Sequence, residues 1–277
     1  MINDSEIEIQ IQQRLEEAIV KDFVEGDYGS LYGIDRTIKA GLVQRFYNNV
    51  KFIETATAPI YHVHMAKEIM NIPPDVNGTV VECGCFKGGS SAALSLVCRL
   101  TGRKLIVCDS FEGLPDDETD VVRNYPHLRV FGYTDKGMYA GRFDEVQLNI
   151  IRYGSIESCS FIRGFFNESL KQLDGPIAFA FLDVDLLSSI KDCILYIWPL
   201  LNNGSLLYTD DSCDMEVVKI WFDEKWWQEK FGTKAPGYVG SGCGLALHTK
   251  ICSLGYTRKV DDISKSYGKI HWLRYRE

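Results

Sequence analysis

Short apolar runs alternate with helix-like segments from residue 79 onward, and this alternation limits the possible folds more than any other feature of the chain. The runs with strand character span residues 79–83, 104–108, 158–162, 177–182 and 206–208. The segments with helical spacing of apolar residues span 90–100, 143–153, 167–173, 188–200 and 214–230. Strands that alternate with helices indicate βαβ crossovers, and almost entirely apolar strands indicate burial on both faces. We therefore expect an α/β fold with a mostly parallel sheet and helices on both faces.

The two ends of the chain lie outside this alternation. Near the N-terminus, apolar residues recur at helical spacing on one face, namely Ile11, Leu15, Ala18, Ile19 and Phe23. A cluster of helix-breaking residues follows at 72–78, so we expect residues 1–75 to form a helical extension of a domain that spans 76–277. At the other end, residues 244–249 and 269–276 are candidates for a closing antiparallel hairpin.

The composition is that of an ordinary globular protein, since 45% of the 277 residues are hydrophobic and 25% are charged. A net charge of −8 argues against nucleic acid as a partner. The longest apolar run, residues 177–182, is too short for a membrane span, and the acidic N-terminus does not resemble a secretory signal. The nine cysteines are scattered, which indicates reduced thiols and a cytoplasmic protein.

A glycine-rich turn follows the first predicted strand and reads E-x-G-x-x-x-G-G-S, with Glu82, Gly84, Gly88 and Ser90 at its defined positions. Glycines permit a tight turn and a close approach of a ligand to the backbone, and the first N–H groups of the next helix can meet a carboxylate. The pattern differs from the G-x-G-x-x-G of dinucleotide-binding proteins. Because Glu82 would repel a pyrophosphate, it suits a ligand that carries an ammonium group.

The next two predicted strands end in residues that suit the parts of a nucleoside. Asp109 lies about twenty positions beyond the glycine turn, where a carboxylate can accept hydrogen bonds from ribose hydroxyls. Gly164 and Phe165 follow the third strand and can offer a backbone contact and a ring face to adenine. An amino-acid group at Glu82 and a ribose at Asp109 together describe S-adenosylmethionine.

Carboxylates follow the fourth and fifth predicted strands, with Asp183 and Asp185 after the fourth and Asp210 and Asp211 after the fifth. Neighbouring parallel strands lie about 4.8 Å apart, so acids at matching strand ends converge. A divalent cation relieves their mutual repulsion, and an all-oxygen ligand set suits Mg²⁺ or Ca²⁺ better than zinc. We expect Asp183, Asp210 and Asp211 to bind Mg²⁺, with Asp185 supporting them or contacting the substrate.

A long loop at residues 116–142 interrupts the alternation. It contains several glycines and four aromatic side chains: Tyr125, Phe131, Tyr133 and Tyr139. Loops of this length are uncommon inside a compact domain and often act as lids. We expect this segment to pack over a bound ligand.

The chain resembles the macrocin O-methyltransferase (TylF) family in four motifs. They are the glycine turn at 82–90, D-S-F-E-G-L-P at 109–115, K-G-M-Y-A-G at 136–141, and the acids at 183–186 with those at 210–211. The resemblance covers roughly residues 40–230. It implies a class I, Rossmann-like methyltransferase fold with a seven-stranded sheet. It also implies an S-adenosylmethionine site that includes Ser110 and Phe111, Mg²⁺ at the three aspartates, and a hydroxyl acceptor, commonly a sugar on a natural product.

The chain departs from the family pattern where residues 187–188 are Leu-Ser instead of the frequent Tyr-Glu. Related catechol-type enzymes place a lysine three residues beyond the first aspartate, and Leu186 occupies that position here. Another group must therefore accept the proton of the acceptor hydroxyl. Asp183 is the first candidate, and His248 and His271 on the predicted closing strands are the others.

These observations predict an S-adenosylmethionine- and Mg²⁺-dependent O-methyltransferase that acts on a small-molecule hydroxyl. We expect a cytoplasmic homodimer with no nucleic-acid or membrane partner, and the amphipathic N-terminal helix is a candidate for subunit contacts. Two alternatives stay open. A non-catalytic protein would keep the fold and bind the cofactor without transferring its methyl group. An NAD(P)-dependent oxidoreductase also carries an acid after its second strand, but that function leaves Glu82 and the acids at 183 and 210–211 without a role.

Overall fold

The computed structural model describes residues 4–116, 135–210, 212, 215–240 and 254–260. Its strands are β1 (Thr79–Cys83), β2 (Leu105–Asp109), β3 (Cys159–Arg163), β4 (Ile177–Leu182), β5 (Leu201–Thr209) and β6 (Gly255–Arg258). Its helices are α1 (Asp4–Glu25), α2 (Arg36–Asn49), α3 (Pro59–Asn71), α4 (Gly89–Thr101), α5 (Phe143–Tyr153), α6 (Phe166–Ser169), α7 (Leu187–Leu200), α8 (Met215–Lys219) and α9 (Glu224–Phe231). Short 3₁₀ turns lie at Ser30–Tyr32, Ile156–Ser158, Leu170–Gln172 and Ile220–Phe222.

The strands form one sheet in the order β3-β2-β1-β4-β5-β6. All the pairs among strands β1 to β5 are parallel, and β6 pairs antiparallel with β5. The predicted Rossmann-like α/β fold with a mostly parallel sheet is therefore confirmed. The resemblance implied seven strands, whereas the sheet has six strands within the described residues.

The antiparallel strand lies at a position that the sequence did not suggest. Strand β6 is Gly255–Arg258, between the two segments predicted to form the closing hairpin. Those segments, 244–249 and 269–276, lie outside the described residues. Four residues with two polar side chains are too short to give an alternating apolar pattern, so β6 carried no sequence signal.

Strand β5 is longer than the apolar run at 206–208 because it contains a bulge. Ile177 of β4 pairs with Leu201, whereas Phe179, two residues further along β4, pairs with Leu206. The extra residues of β5 lie in this bulge and do not interrupt the sheet. Polar residues are tolerated there because they are not buried between the two helix layers.

Each face of the sheet packs against its own apolar layer. One layer, which we call the α3–α4 face, includes Val80, Leu105, Val107, Phe179, Phe181, Leu206 and Tyr208 together with residues of α2, α3, α4 and α5. The opposite layer includes Val81, Cys83, Ala180, Leu182 and Leu207 together with α7, Trp221 and Trp227. Because alternate residues of a strand point to opposite faces, this division assigns each strand residue to one face.

Helix α3 belongs to the core that covers the sheet. Its buried residues are Ile60, Tyr61, His62, Val63, Met65, Ala66, Ile69 and Met70. Most of them lie in the same apolar layer as β1 and β4. Within the described ranges, none of the helices combines the length and the apolar character needed to cross a membrane.

Candidate active site

Strand order reverses between β1 and β4, because β2 and β3 lie on one side of β1 and β4 and β5 on the other. Ligands of doubly wound sheets bind beyond the carboxyl ends of the strands at such a reversal. The backbone hydrogen bonds that join β1 to β4 and β4 to β5 continue one residue past the ends of these strands. The Asp183 amide donates to the Cys83 carbonyl at 2.9 Å, and the Asp210 amide donates to the Leu182 carbonyl at 2.9 Å.

Alternation places four acids on the α3–α4 face at this edge. Alternate residues of a strand point to the same face. The residues that lie two positions before the four acids all belong to the α3–α4 face, namely Val80, Val107, Phe181 and Tyr208. The four acids are Glu82, Asp109, Asp183 and Asp210. Asp183 and Asp210 each follow the paired residues Leu182 and Thr209, so these two predicted metal ligands lie side by side in register.

Gly84 allows the β1 turn to lie directly against the end of β4. Its φ of +82° belongs to the left-handed region, and a Cβ at this position would lie 1.7 Å from the Asp183 carbonyl oxygen. Any side chain there would push β1 and β4 apart. Gly88, with φ +83°, then forms the N-terminal boundary of α4. The predicted glycine turn therefore places its backbone at the point between β1 and β4 where the strand order reverses.

Glu82 has one carboxylate oxygen without a hydrogen-bond partner. The side chain is fully buried, and the Ser91 hydroxyl donates to Oε2, whereas Oε1 has no partner. Burial raises the pKa of Glu82 to about 7, and the negative charge of Asp109 adds to the shift, although Ser90 and Ser91 oppose it. A buried acceptor of this kind can take a donor from a ligand, and a cationic donor relieves the unfavourable charge.

Asp109 connects two loops of the site. Its Oδ2 accepts a hydrogen bond from the Cys85 amide at 2.7 Å, and its Oδ1 accepts one from the Phe111 amide at 2.7 Å. These bonds join the glycine turn to the loop after β2. Each carboxylate oxygen can accept more than one hydrogen bond, so binding of a ribose at Asp109 stays a prediction that this geometry accommodates.

Ser110 and Phe111 shape the loop after β2. The Ser110 hydroxyl donates to the Gly113 carbonyl at 2.9 Å and accepts from the Glu112 amide at 3.0 Å, so it is occupied within its own turn. The Phe111 ring packs edge-to-face on Phe143, with ring centroids 4.9 Å apart. Both residues therefore support this side of the site through the loop conformation.

Asp183 receives a hydrogen bond from Thr57, a residue that no sequence motif indicates. The Thr57 hydroxyl donates to Asp183 Oδ2 at 3.1 Å. Burial, with the negative charges of Glu82 and Asp109, raises the pKa of Asp183 above its ordinary value. Thr57 precedes Asp183 by 126 residues in the chain, and no motif in the sequence connects the two.

Four non-glycine residues with left-handed backbone lie in the loops of this edge. They are Phe86 (φ 45°), Phe111 (φ 59°), Tyr139 (φ 56°) and Asp185 (φ 57°). Such conformations are unfavourable for residues with a side chain and concentrate at functional sites. Two of them also contact each other, since the Phe86 and Tyr139 rings pack edge-to-face at 5.9 Å. The strained segments thus surround the predicted site, which sequence patterns could not reveal.

The predicted adenine contacts lie next to Asp109. The Gly164 amide donates to the Asp109 carbonyl at 2.9 Å, and the following Phe165 side chain is 39% exposed. The Phe165 ring is therefore open to a ligand. Its contact with adenine stays a prediction.

The base of the predicted lid is well defined. The Leu114 amide donates to the Met138 carbonyl at 2.9 Å, and the Gly137 amide donates to the Leu114 carbonyl at 3.0 Å. Leu114 also packs with Leu186 and Tyr139 beside the β4 end. Residues 117–134, the middle of the predicted lid, lie outside the described residues.

Three predicted site residues cannot be placed. Asp211, the third metal ligand, and His248 and His271, the two alternative bases, lie outside the described residues. In the described part of the chain, no three His, Cys, Asp or Glu side chains are grouped as metal ligands. That part contains only two of the three aspartates predicted to bind Mg²⁺.

Comparison with known proteins places the chain in a family. The model of the family described as Macrocin-O-methyltransferase (TylF) matches residues 59–232. A Streptomyces olivaceus protein, 8-demethyl-8-(2,3-dimethoxy-alpha-L-rhamnosyl)-tetracenomycin-C 4'-O-methyltransferase, is 33% identical over 141 residues, which are 49% of this chain and 53% of the relative. The chain thus spans about half the length of this relative.

The solved structure of the O-methyltransferase NovP has the same fold. It superposes with a TM-score of 0.62 at 20% identity, over 80% of this chain and 97% of NovP. Because the family match covers more than half of the chain, the chain belongs to the macrocin-O-methyltransferase (TylF) family.

Proposed function

We propose that the protein is an S-adenosylmethionine-dependent O-methyltransferase that acts on a hydroxyl group of a small molecule. The observation that carries the proposal is Glu82 Oε1, a buried acceptor without a partner at the strand-order reversal. The ammonium group of the cofactor's amino acid would supply the missing donor and the compensating charge. Membership of the TylF family supports the same activity.

The remaining cofactor contacts follow from the loops around Glu82. Gly84 and Gly88 would lie along the amino-acid part of the cofactor, and the first turn of α4 at Ser90 would present N–H groups to its carboxylate. Asp109 would accept the ribose hydroxyls. Gly164 and Phe165 would border the adenine, and the loop at Ser110 and Phe111 would hold this side of the pocket in place.

We further propose that Asp183, Asp210 and Asp211 bind Mg²⁺. The two that can be placed suit such an ion, because they lie in register on neighbouring strands and offer only carboxylate oxygens. Carboxylates on neighbouring strand ends would otherwise repel each other. When bound, the ion supplies a positive charge that lowers the pKa of the acceptor hydroxyl.

Methyl transfer is an in-line displacement, so much of the rate comes from holding the acceptor oxygen in line with the sulfonium carbon. The new bond joins the acceptor oxygen to the methyl carbon, and the carbon–sulfur bond breaks with its electron pair left on sulfur. The hydroxyl proton passes to a base, for which Asp183 is the first candidate and His248 and His271 are the alternatives. The segment 116–142 would exclude water from the closed site.

We propose a sugar hydroxyl on a natural product, or on its biosynthetic intermediate, as the acceptor. The support is the family membership and the activity of the Streptomyces relative, whose name describes a rhamnosyl tetracenomycin 4'-O-methyltransferase. We also propose that the protein is a cytoplasmic homodimer without a nucleic-acid partner. Sedimentation of the purified chain tests the dimer, and a monomer at micromolar concentration would contradict it.

Calorimetry tests the cofactor assignment. S-adenosylmethionine and NAD⁺ are titrated separately into the full chain, each with Mg²⁺ and with EDTA. We expect S-adenosylmethionine to bind under both conditions and NAD⁺ to show no heat of binding. Tight NAD⁺ binding would contradict the methyltransferase function.

The Asp210→Asn variant tests the metal site. Loss of one carboxylate should abolish Mg²⁺ binding and methyl transfer, while S-adenosylmethionine affinity stays within a few fold, because Asp210 lies outside the cofactor contacts. Mg²⁺ binding by titration and transfer of labelled methyl to a panel of glycosides are the measurements. Asp174→Asn is the control for loss of a single carboxylate away from the site, because Asp174 is an exposed acid in the turn before β4, at the opposite end of that strand. Unchanged activity of Asp210→Asn would refute the role of this residue.

A further inference from the structure

Residues 54–57, which we call the connecting segment, precede α3 and contact both halves of the candidate site. Glu54 forms an ion pair with Lys87 of the glycine turn at 2.5 Å. Thr55 packs on the first residue of α4, since a Cβ at Gly89 would lie 2.8 Å from the Thr55 Cβ. Thr57 donates its hydroxyl to Asp183 at the end of β4. The connecting segment therefore joins the glycine turn after β1 to Asp183 at the end of β4.

Thr57 is buried, and its backbone position is fixed by local contacts. Thr57 is 3% exposed, and its amide donates to the Thr55 hydroxyl at 3.2 Å, which fixes the backbone before the helix. Ala58 then forms the N-terminal boundary of α3, and Pro59 occupies the first turn, where its fixed φ suits a helix start. Because α3 is buried in the core, the backbone that carries Thr57 cannot move without displacing that helix.

A hydrogen bond from a fixed donor to one carboxylate oxygen sets the direction of the other oxygen. Asp183 is not anchored by its backbone alone, because its carboxylate can rotate about two side-chain bonds. Groups that orient metal ligands in this way strongly affect metal affinity in other proteins. The family match begins at residue 59, so the position of Thr57 lies just before the matched region.

We propose that Thr57 is a positioning residue that orients the Asp183 carboxylate toward Mg²⁺. This inference rests on the proposed function, since it requires that Asp183 bind the metal. If Thr57 had a purely structural role, its loss would instead lower the stability of the fold and the affinities for all ligands together.

Three variants of the full chain separate these roles. Thr57→Val removes the hydroxyl but retains the volume and branching of the side chain. Thr57→Ser retains the hydroxyl and should therefore retain the Mg²⁺ affinity of the wild type. Thr101→Val is the matched control, because Thr101 is also buried but donates only to carbonyls of its own helix α4, those of Val97 and Cys98.

MgCl₂ is titrated into each protein saturated with S-adenosylhomocysteine, and the S-adenosylhomocysteine affinity and the melting temperature are measured alongside. We expect Thr57→Val to weaken Mg²⁺ binding by about 10- to 100-fold, as loss of an orienting partner typically does. S-adenosylhomocysteine affinity should stay within about threefold of wild type. Thr57→Ser and Thr101→Val should bind Mg²⁺ like the wild type.

Unchanged Mg²⁺ affinity in Thr57→Val, with normal binding by the wild type, would overturn this inference alone. Equal losses of S-adenosylhomocysteine and Mg²⁺ affinity in Thr57→Val would overturn it as well, because they would indicate a structural role. If the wild type bound S-adenosylhomocysteine but no Mg²⁺, the proposed metal site itself would be refuted, together with the inference that depends on it.

Discussion

A negative charge on Glu82 is unfavourable in the cofactor-free protein, because the side chain is fully buried and one of its oxygens has no partner. Its pKa rises from 4.5 to about 7 in the folded state, whereas the unfolded chain retains the lower value. The folded protein therefore binds the proton more tightly. The contribution of Glu82 to stability is fully present below about pH 4.5 and is lost as the pH rises through about 7.

Replacement of Glu82 by glutamine should remove this pH dependence, because glutamine resembles the protonated acid at every pH. Relative to wild type, the free energy of unfolding of Glu82→Gln should rise by about 3 kcal/mol between pH 4.5 and pH 8. Urea unfolding at a series of pH values measures it. Glu17→Gln, at an exposed position of α1, is the control and should show a constant small difference. A difference for Glu82→Gln that does not vary with pH would contradict the raised pKa.

The residues that could be found from the sequence are those whose role depends on local pattern. Glu82 and Gly84 lie in one turn, and Asp183 and Asp210 each follow an apolar run, so topology alone brings them together. Thr57 carries no such signal, since its contact with Asp183 depends on the packing of α3. The left-handed backbone of Phe86 and Asp185 is likewise invisible, because it is imposed by surrounding loops and is not preferred by these residue types.

At the scale of elements, the close contact between β1 and β4 depends on the absence of a side chain at Gly84. Gly84→Ala would place its Cβ 1.7 Å from the Asp183 carbonyl oxygen. Gly175→Ala is the matched control, because Gly175 has a similar φ of +77° but a Cβ added there would meet no atom within 4 Å. Gly175→Ala should cost about 1–2 kcal/mol for its backbone conformation alone.

We expect Gly84→Ala to lower the free energy of unfolding by at least about 2 kcal/mol more than Gly175→Ala, since the clash with backbone adds to the same strain. It should also weaken S-adenosylmethionine binding, whereas the control should not. Urea unfolding and calorimetry are the measurements. Equal destabilisation by the two variants would show that the turn does not require contact with β4.

The boundaries of elements could be predicted where the local signal was strong. Strands β1 and β4 and helix α5 begin and end at the predicted residues, because apolar runs or helical spacing stop at polar or glycine positions. The predicted helix at 214–230 is instead two helices separated by a 3₁₀ turn. Asp223 accounts for the second start, since its side chain accepts from the Trp226 amide as an N-cap.

At the scale of the whole molecule, α3 connects the predicted helical extension to the sheet domain. The division at residue 75 separates α3 from β1 in sequence, yet both lie in one apolar layer. Composition could not indicate this, because a helix with apolar residues on most of its surface can pack in several places. We propose that 1–75 is an extension that shares the core of the sheet domain.

Hydrogen exchange tests this arrangement. Amides of α3 should exchange as slowly as those of β1 and β4, within about tenfold, because burial in one core makes them open only with global unfolding. Exchange measured by mass spectrometry on the full chain gives the comparison. Exchange of α3 that is about a thousandfold faster than that of β1 would indicate that the N-terminal helices unfold separately.

A crystal structure of the full chain with S-adenosylhomocysteine and Mg²⁺ would show whether the carboxylates beyond β1, β4 and β5 bind a cationic cofactor beside a metal ion. We predict the ligand's ammonium within hydrogen-bond distance of Glu82 Oε1 and Mg²⁺ bound by both Asp183 and Asp210. A ligand bound away from the β1–β4 edge, or Glu82 Oε1 still without a donor in the complex, would contradict the account.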